Sequence, residues 1–237
     1  MTSSVAGTSC MLCREPAIDR ISMVVDGRRR SVRVCERHRP SDDVGEPTAL
    51  GEGLGADELM FRFMSGRLSL DLTATVGERW RNKVERLRTP ADLQRWIADA
   101  GLSDNAVSVT RRELTDIQHL REVIYTAALS AVADEPIPDG VEATLTEFAA
   151  AASSAPTLHR GQLTWNAPGA RAVASTVARD AIDLLSSPLR QRIRECASPE
   201  CALLFVDTSR PGQRRWCSTD TCGNRSRAAA YRQRQRP

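Results

Sequence analysis

Four cysteines near the end of the chain constrain it more than any other feature. Cys196 and Cys201 form a C-x4-C pair, Cys217 and Cys222 form a second, and fifteen residues separate the pairs. Two such knuckles can aim four thiolates at one tetrahedral ion, the ligand arithmetic of a four-cysteine zinc site. Ser198 and Pro199 in the first pair, and Ser218, Asp220 and Gly223 around the second, are small or turn-forming residues that let the backbone wrap a metal. Between the knuckles, residues 202–207 predict a strand, Ser209-Arg210-Pro211-Gly212 predicts a turn, and 213–216 predict the returning strand. From Asn224 or Ser226 onward, Ala228-Ala229-Ala230 and the alternation of Arg and Gln predict a helix. The expected product is a small ββα-like zinc finger. Zinc saturated by four thiolates has no position for water, so such a site is scaffold and not a hydrolytic centre.

What the scaffold displays is basic. Arg210, Arg214, Arg215, Arg225, Arg227, Arg232 and Arg234, with Asn224, surround the second knuckle and the helix after it. Guanidinium groups bind phosphate in bidentate fashion and read guanine edges in the major groove. The net charge of +3 conceals the distribution: residues 188–237 hold eleven Arg against four acids, residues 1–40 eight against four, and the middle fourteen basic residues against twenty-two acids. Basic ends flanking an acidic middle predict an anionic partner, here double-stranded DNA. The competing reading makes the zinc modules protein-docking platforms with solvated charged faces.

A second constellation opens the chain. Cys10-x2-Cys13 and, twenty-one residues later, Cys35-x2-His38 supply three sulfurs and one imidazole, a recognised zinc ligand set. Asp26-Gly27, a strong hairpin dipeptide, stands between two alternating segments, as in a zinc ribbon. All seven cysteines are then consumed and His38 completes the eighth position, so two zinc ions per chain are expected. Residues 40–57 are rich in Gly, Pro and acids and predict a flexible linker. The organisation expected is a zinc-ribbon-like module at 1–39, the linker at 40–57, an α-rich domain at 58–187 and the finger at 188–237. No apolar run of eighteen residues and no signal-peptide pattern occurs, so no membrane contact and a cytoplasmic location are expected. In that compartment thiols stay reduced, which favours metal over disulfides.

The middle reads as mainly α with a short β-hairpin. Residues 68–72 fit a strand or a helix start, and 75–86 predict a helix. Thr89-Pro90 predicts an N-cap with Leu93, Trp96 and Ile97 on one face before Gly101. A longer helix is expected at 110–132, stopped by Pro136 and Pro138, and another at 139–152 with Val141, Leu145 and Phe148 inward. A hairpin at 158–165 should turn at Arg160-Gly161, and a last helix at 169–185 should bury Val173, Val177, Ile182, Leu184 and Leu185. No Gly-rich phosphate loop, nucleophile elbow or H-E-x-x-H motif occurs, so no enzymatic activity is expected. His119 near Glu122, and Trp80, Trp96 and Trp165, are the remaining candidates for a small-molecule or enzymatic site. The commoner fate of such residues is a helix surface or a core.

The string RRWC at 214–217, CGNR at 222–225, the upstream pair Cys196 and Cys201, and Phe205, Asp207 and Ser209 between them resemble the CGNR-type zinc-finger proteins. In that family the finger follows an ABATE domain, and residues 61–97, with FRFMSGRLSLDLTATV and then LRTPADLQRWI, are similar to that domain's opening. The resemblance implies an ABATE-like helical domain ahead of a DNA-contacting finger, in a transcription regulator of the stress response. It also implies a middle domain that senses a small-molecule effector or forms a homodimer. Losing Cys217 is expected to unfold the finger and spare the middle domain.

Overall fold

The computed structural model describes residues 59–79, 83–198 and 201–235, together with two strands at 19–25 and 28–34. The expectations at Cys10, Cys13, Cys35, His38, Trp80 and the 40–57 linker lie outside the described residues. Strands β1 (Asp19–Val25) and β2 (Arg28–Val34) pair antiparallel with Val25 opposite Arg28. The pairing is that of the hairpin expected around Asp26-Gly27, a dipeptide that itself lies outside the described residues.

Helix α1 (Leu68–Thr73) resolves the first ambiguity, burying Leu70 and Leu72 completely. The helix expected at 75–86 is not formed. Val76–Gly77 (β3) and Val84–Glu85 (β4) pair antiparallel, and Arg86 N donates to Thr75 O at 3.0 Å to extend the ladder. Glu78 and Lys83 take positive φ values of 45° and 47°, outside the right-handed helical region. Long-range pairing supplies what local pattern does not: both Glu85 oxygens accept from Arg121 at 2.7 Å, which fixes β4 on a distant helix.

The next helices follow their caps. At α2 (Pro90–Asp99) Thr89 and Asp92 form a reciprocal capping box, and Gly101 at φ +66° ends the run. At α3 (Arg111–Ala133) Thr110 and Glu113 do the same, and Asp134 in the left-handed region closes the helix ahead of both prolines. Helix α4 (Asp139–Ala149) stops three residues short of the expected end. Strands β5 (Ala155–His159) and β6 (Gln162–Asn166) turn at Arg160 and Gly161 with φ 48° and 78°, the primed turn that matches strand twist. Helix α5 (Ala170–Ser186) buries Val173, Val177 and Leu184, but Ile182 is partly exposed. Nine residues beyond Val173 is half a turn out of phase, so Ile182 cannot share that face.

Leu93, Trp96, Ile97, Leu114, Ile117, Leu120, Ile124, Val173 and Val177 make the main core between α2, α3, α4 and α5. A second core joins Leu70, Tyr125, Ala128, Leu129 and Leu184 to Ile193, Leu204 and Val206. Those last three belong to β7 (Ile193–Glu195) and β8 (Leu204–Val206), the strands of the finger, which pair with each other. The partner of β8 is therefore the segment before the first knuckle and not 213–216. Among the described residues, no helix is long and apolar enough to cross a membrane.

Candidate metal centre

Hairpin β7–β8 closes through the first knuckle. Cys196 N donates to Leu203 O at 2.9 Å, Cys201 N to Ser198 O at 3.0 Å, and Ala202 takes φ 50° to turn the chain back. The second knuckle is tied to the first by Ala197 N donating to Arg215 O at 2.7 Å. Ser218 then caps a wide helical turn at Thr219–Gly223, its hydroxyl accepting from Thr221 N at 3.2 Å, and that turn runs straight into α6 (Asn224–Arg234).

The four cysteine sulfurs lie within 4.8 Å of one another. Cys201 Sγ stands 3.6 Å from Cys217 Sγ, and Cys217 Sγ 3.7 Å from Cys222 Sγ. A disulfide holds its sulfurs about 2.05 Å apart, so these cysteines form no disulfide with one another. Four sulfurs at about 2.3 Å from one tetrahedral zinc would be about 3.8 Å apart, and the separations fit that. The all-thiol donor set, packed with Ala74, Leu203 and Phe205, is the chemistry zinc selects. Four sulfurs so close cannot all ionise without a cation. Hydrogen bonds from Cys201 and then Cys217 bring Cys196 down to about 7, while Cys201, on the donating side, is pushed up. A divalent ion removes the conflict by stabilising all four thiolates. The four cysteines thus cluster to hold one zinc ion.

Asp207 organises the loop between the knuckles. It is fully buried, accepting from Ser209 N at 2.9 Å and Ser209 Oγ at 2.6 Å on one oxygen, and from Arg214 N at 2.8 Å on the other. Burial alone would raise its pKa. The bonds from Ser209 and the Arg214 amide, and the charge of Arg194, outweigh it and hold the carboxyl below its usual range. Asp207 thereby takes the amide that a returning strand at 213–216 would have used. Arg192 completes the clamp, donating to Asp207 O at 3.0 Å and Ser209 O at 2.8 Å. The sequence marked the Ser209–Gly212 turn but gave no sign of Arg192.

The predicted basic residues divide by use. Arg214 is spent within the finger: its guanidinium donates to Trp216 O at 3.0 Å and to Cys217 O, and stacks 4.7 Å from the Phe205 ring. Asn224 is a clip, donating to Asp220 O at 2.8 Å and accepting from Arg227. Arg210, Arg215, Arg225, Arg227, Arg232 and Arg234 are exposed. In the middle domain Trp96 is core, and His119 is an exposed residue whose ring lies 6.3 Å from that of Phe148. Glu122 is not a free base. Burial would raise it, but Arg79 and Arg121, both at 2.7 Å, hold it below its usual range.

Fold and site together define a helical domain closed by metal-binding knuckles and extended by a basic helix. The ABATE family, described as "Putative stress-induced transcription regulator", matches residues 66–188, and the CGNR zinc finger matches residues 192–235. The first match covers more than half of the chain, and the chain belongs to the ABATE family. No curated protein matches it.

Proposed function

We propose that this chain is a cytoplasmic, non-enzymatic transcription regulator that binds double-stranded DNA through its zinc-stabilised finger. One observation carries the reading. Helix α6 begins directly at the second knuckle, carries Arg225, Arg227, Arg232 and Arg234, and has its described side chains exposed, Ala228, Ala229 and Tyr231 among them, except for half-buried Ser226. No broad apolar stripe runs along it to pack on the protein. Arg225 and Arg232 are seven residues apart on one side, and Arg227 and Arg234 share the opposite side. A helix about 10–12 Å across enters a major groove about 12 Å wide, and arginines on both flanks would then face both phosphate backbones. Zinc, when bound, supplies the fixed turn from which α6 projects. In the proposal Cys196, Cys201, Cys217 and Cys222 hold one ion, and Cys10, Cys13, Cys35 and His38 a second, so native mass spectrometry should count two zinc ions per chain.

The test selects bound genomic fragments with the full chain, then compares selected and scrambled duplexes at two salt concentrations. Arg232→Ala and Arg234→Ala should weaken both duplexes alike and reduce the salt slope by about one unit each. Arg225→Ala, next to the metal-held turn, should cost about 1–3 kcal/mol more on the selected duplex than on the scrambled one. Equal losses on both duplexes for all three variants would rule out sequence reading by the finger. No loss for any of them would replace DNA binding with protein docking.

A further inference from the structure

Arg86 is a buried cation without an acid. It is 5% exposed, and its Nε has no hydrogen-bond partner. Among the described residues no carboxylate pairs with it, since Glu85, the adjacent acid, gives both oxygens to Arg121. Its Nη1 donates to Ala74 O at 3.2 Å. The guanidinium also lies against Gly77, where a Cβ would stand 2.6 Å from Nη1 and 2.9 Å from Nη2. That slot exists only because residue 77 has no side chain. An unpaired buried charge of this kind is strongly destabilising unless something of opposite sign lies near it.

The metal centre lies on the other side of Ala74. Ala74, whose carbonyl holds Arg86, packs in one cluster with Cys196, Cys217 and Cys222, against which Cys201 and Trp216 also lie. Zinc bound by four thiolates is a dianion, and burying it carries the complementary penalty. The electrostatics around Arg86 agree. Burial first, and then the charge of Arg62, lower its pKa, while Glu78, Glu85 and, last, Cys201 act to raise it.

We propose that Arg86 is the buried counter-cation of the tetrathiolate, supplied by the helical domain to the finger's metal centre. Occupied, the centre balances the charge of Arg86 across the junction, and Arg86 offsets half of the dianion's. Emptied, the centre leaves the buried guanidinium beside β3 and β4 with only the weaker help of Glu78 and of Glu85, whose oxygens already serve Arg121. The state of the metal is thereby felt within the helical domain, next to the Glu85–Arg121 pair. The proposal rests on zinc filling the four-cysteine site and is independent of DNA binding.

The experiment measures zinc affinity of the full chain by competition with a chromophoric chelator. Outer-shell partners of metal ligands typically contribute 10–100-fold in affinity, so Arg86→Gln should release zinc about 10–100-fold more readily. Arg86→Lys, which keeps the charge, should recover most of the loss. Arg95→Gln, at a half-exposed cation on α2, should match the wild type. Wild-type affinity in Arg86→Gln overturns the proposal, and so does an equal loss in the Gln and Lys variants, which would indicate packing and not charge. Because Arg86→Gln could fail to fold, the wild-type chain carries a second reading. Chelation should shift the Arg86 Nε–H resonance and speed its exchange with water, and an unchanged resonance overturns the proposal.

Discussion

The helical domain and the finger are held together by different means, although they share a core. In the domain, large apolar side chains disappear: Trp96, Leu93, Ile117, Leu120 and Val173 are all 1% exposed or less. In the finger, the apolar side chains packed with the ligands are few, chiefly Leu203, Phe205 and Trp216, and Ala74 in that cluster is borrowed from the domain. The centre of its loop is a charged group, Asp207, with three hydrogen bonds, where a larger fold would place a leucine. A segment of about fifty residues rarely buries enough apolar surface to fold alone, and metal is one of the usual remedies. This finger uses two remedies at once. It binds metal, and it lends Ile193, Leu204 and Val206 to the second core of the domain.

Breaking the metal should therefore do the most. Cys217→Ser removes a ligand at a site type worth about 10–16 kcal/mol in apparent binding free energy. Zinc content should fall and the finger should lose protection in hydrogen exchange. The sequence alone predicted that the middle domain would be spared. Because Leu204 and Val206 pack with Leu70, Ala128 and Leu184, the amides of α1 and of the second half of α3 should also lose protection. Helical amides exchanging as in the wild type would show that the two regions are separable after all.

Breaking the core should do less, and in one direction only. Leu120 is fully buried in the main core and takes no part in the second core, which carries the finger's strands. Leu120→Ala should cost about 2–5 kcal/mol in urea unfolding while zinc bound per folded chain stays unchanged. Zinc loss at equal chain folding would mean that the metal centre depends on the whole core and not on the second core alone.

Acid sharpens the contrast, because two aspartates are shifted in opposite directions. Burial pushes Asp71 of the domain up to about 6, against the hydrogen bonds it accepts from Ser65. A carboxyl whose folded pKa lies above its unfolded value binds its proton more tightly when folded, so stability rises as pH falls from 6 toward about 4. Asp207 of the finger is held low, so its contribution is present above about pH 4 and is lost only as pH falls through its lower folded value. Unfolding free energies of the wild type and Asp71→Asn should differ in slope between pH 4 and 6 and run parallel from pH 6 to 8. Taking the difference cancels the proton competition that weakens zinc binding in both proteins. Parallel curves throughout would mean that Asp71 titrates as in an unfolded chain.

Much of this was legible in the sequence where the signal is local. Thr89-Pro90 and Arg160-Gly161 each fix a helix start or a turn within a few residues, and each stands where it was expected, as does the helix start near Thr110, although its capping partner Glu113 was not singled out. The four cysteines were legible because tetrahedral ligation needs little beyond spacing and reduced thiols. Misreadings arose where a distant group decides. β3 and β4 look helical until Arg121 captures Glu85, and 213–216 looks like a strand until the Asp207 carboxylate takes the Arg214 amide. The ladder partner of β8 lies before the knuckle, and register across a metal loop leaves no mark in strand propensity. Arg86 was invisible for the same reason, since nothing in the order of residues says that position 86 is buried.

The smallest test compares one chemical device in both regions. Thr89 Oγ1 accepts from Asp92 N at 3.2 Å at the start of α2, and Ser218 Oγ accepts from Thr221 N at 3.2 Å at the start of the turn before α6. In α2 the cap fixes the entry of a helix whose other constraints are packing, and the Asp92 side chain bonds back to Thr89 N at 2.9 Å. Thr89→Ala should cost about 1 kcal/mol, the usual worth of an N-cap. Ser218 is flanked by Cys217 and followed by Cys222, so with zinc bound the metal already fixes the turn that the hydroxyl would otherwise hold. Ser218→Ala should therefore be nearly silent in zinc-loaded protein, a few tenths of a kcal/mol against the usual cap value. It should show instead as a faster release of zinc to chelator, because only in the opened knuckle does the cap compete with the coil. A full cap penalty in the loaded state would mean that the metal does not fix the second knuckle. The rigid projection of α6 would then have to come from the protein alone.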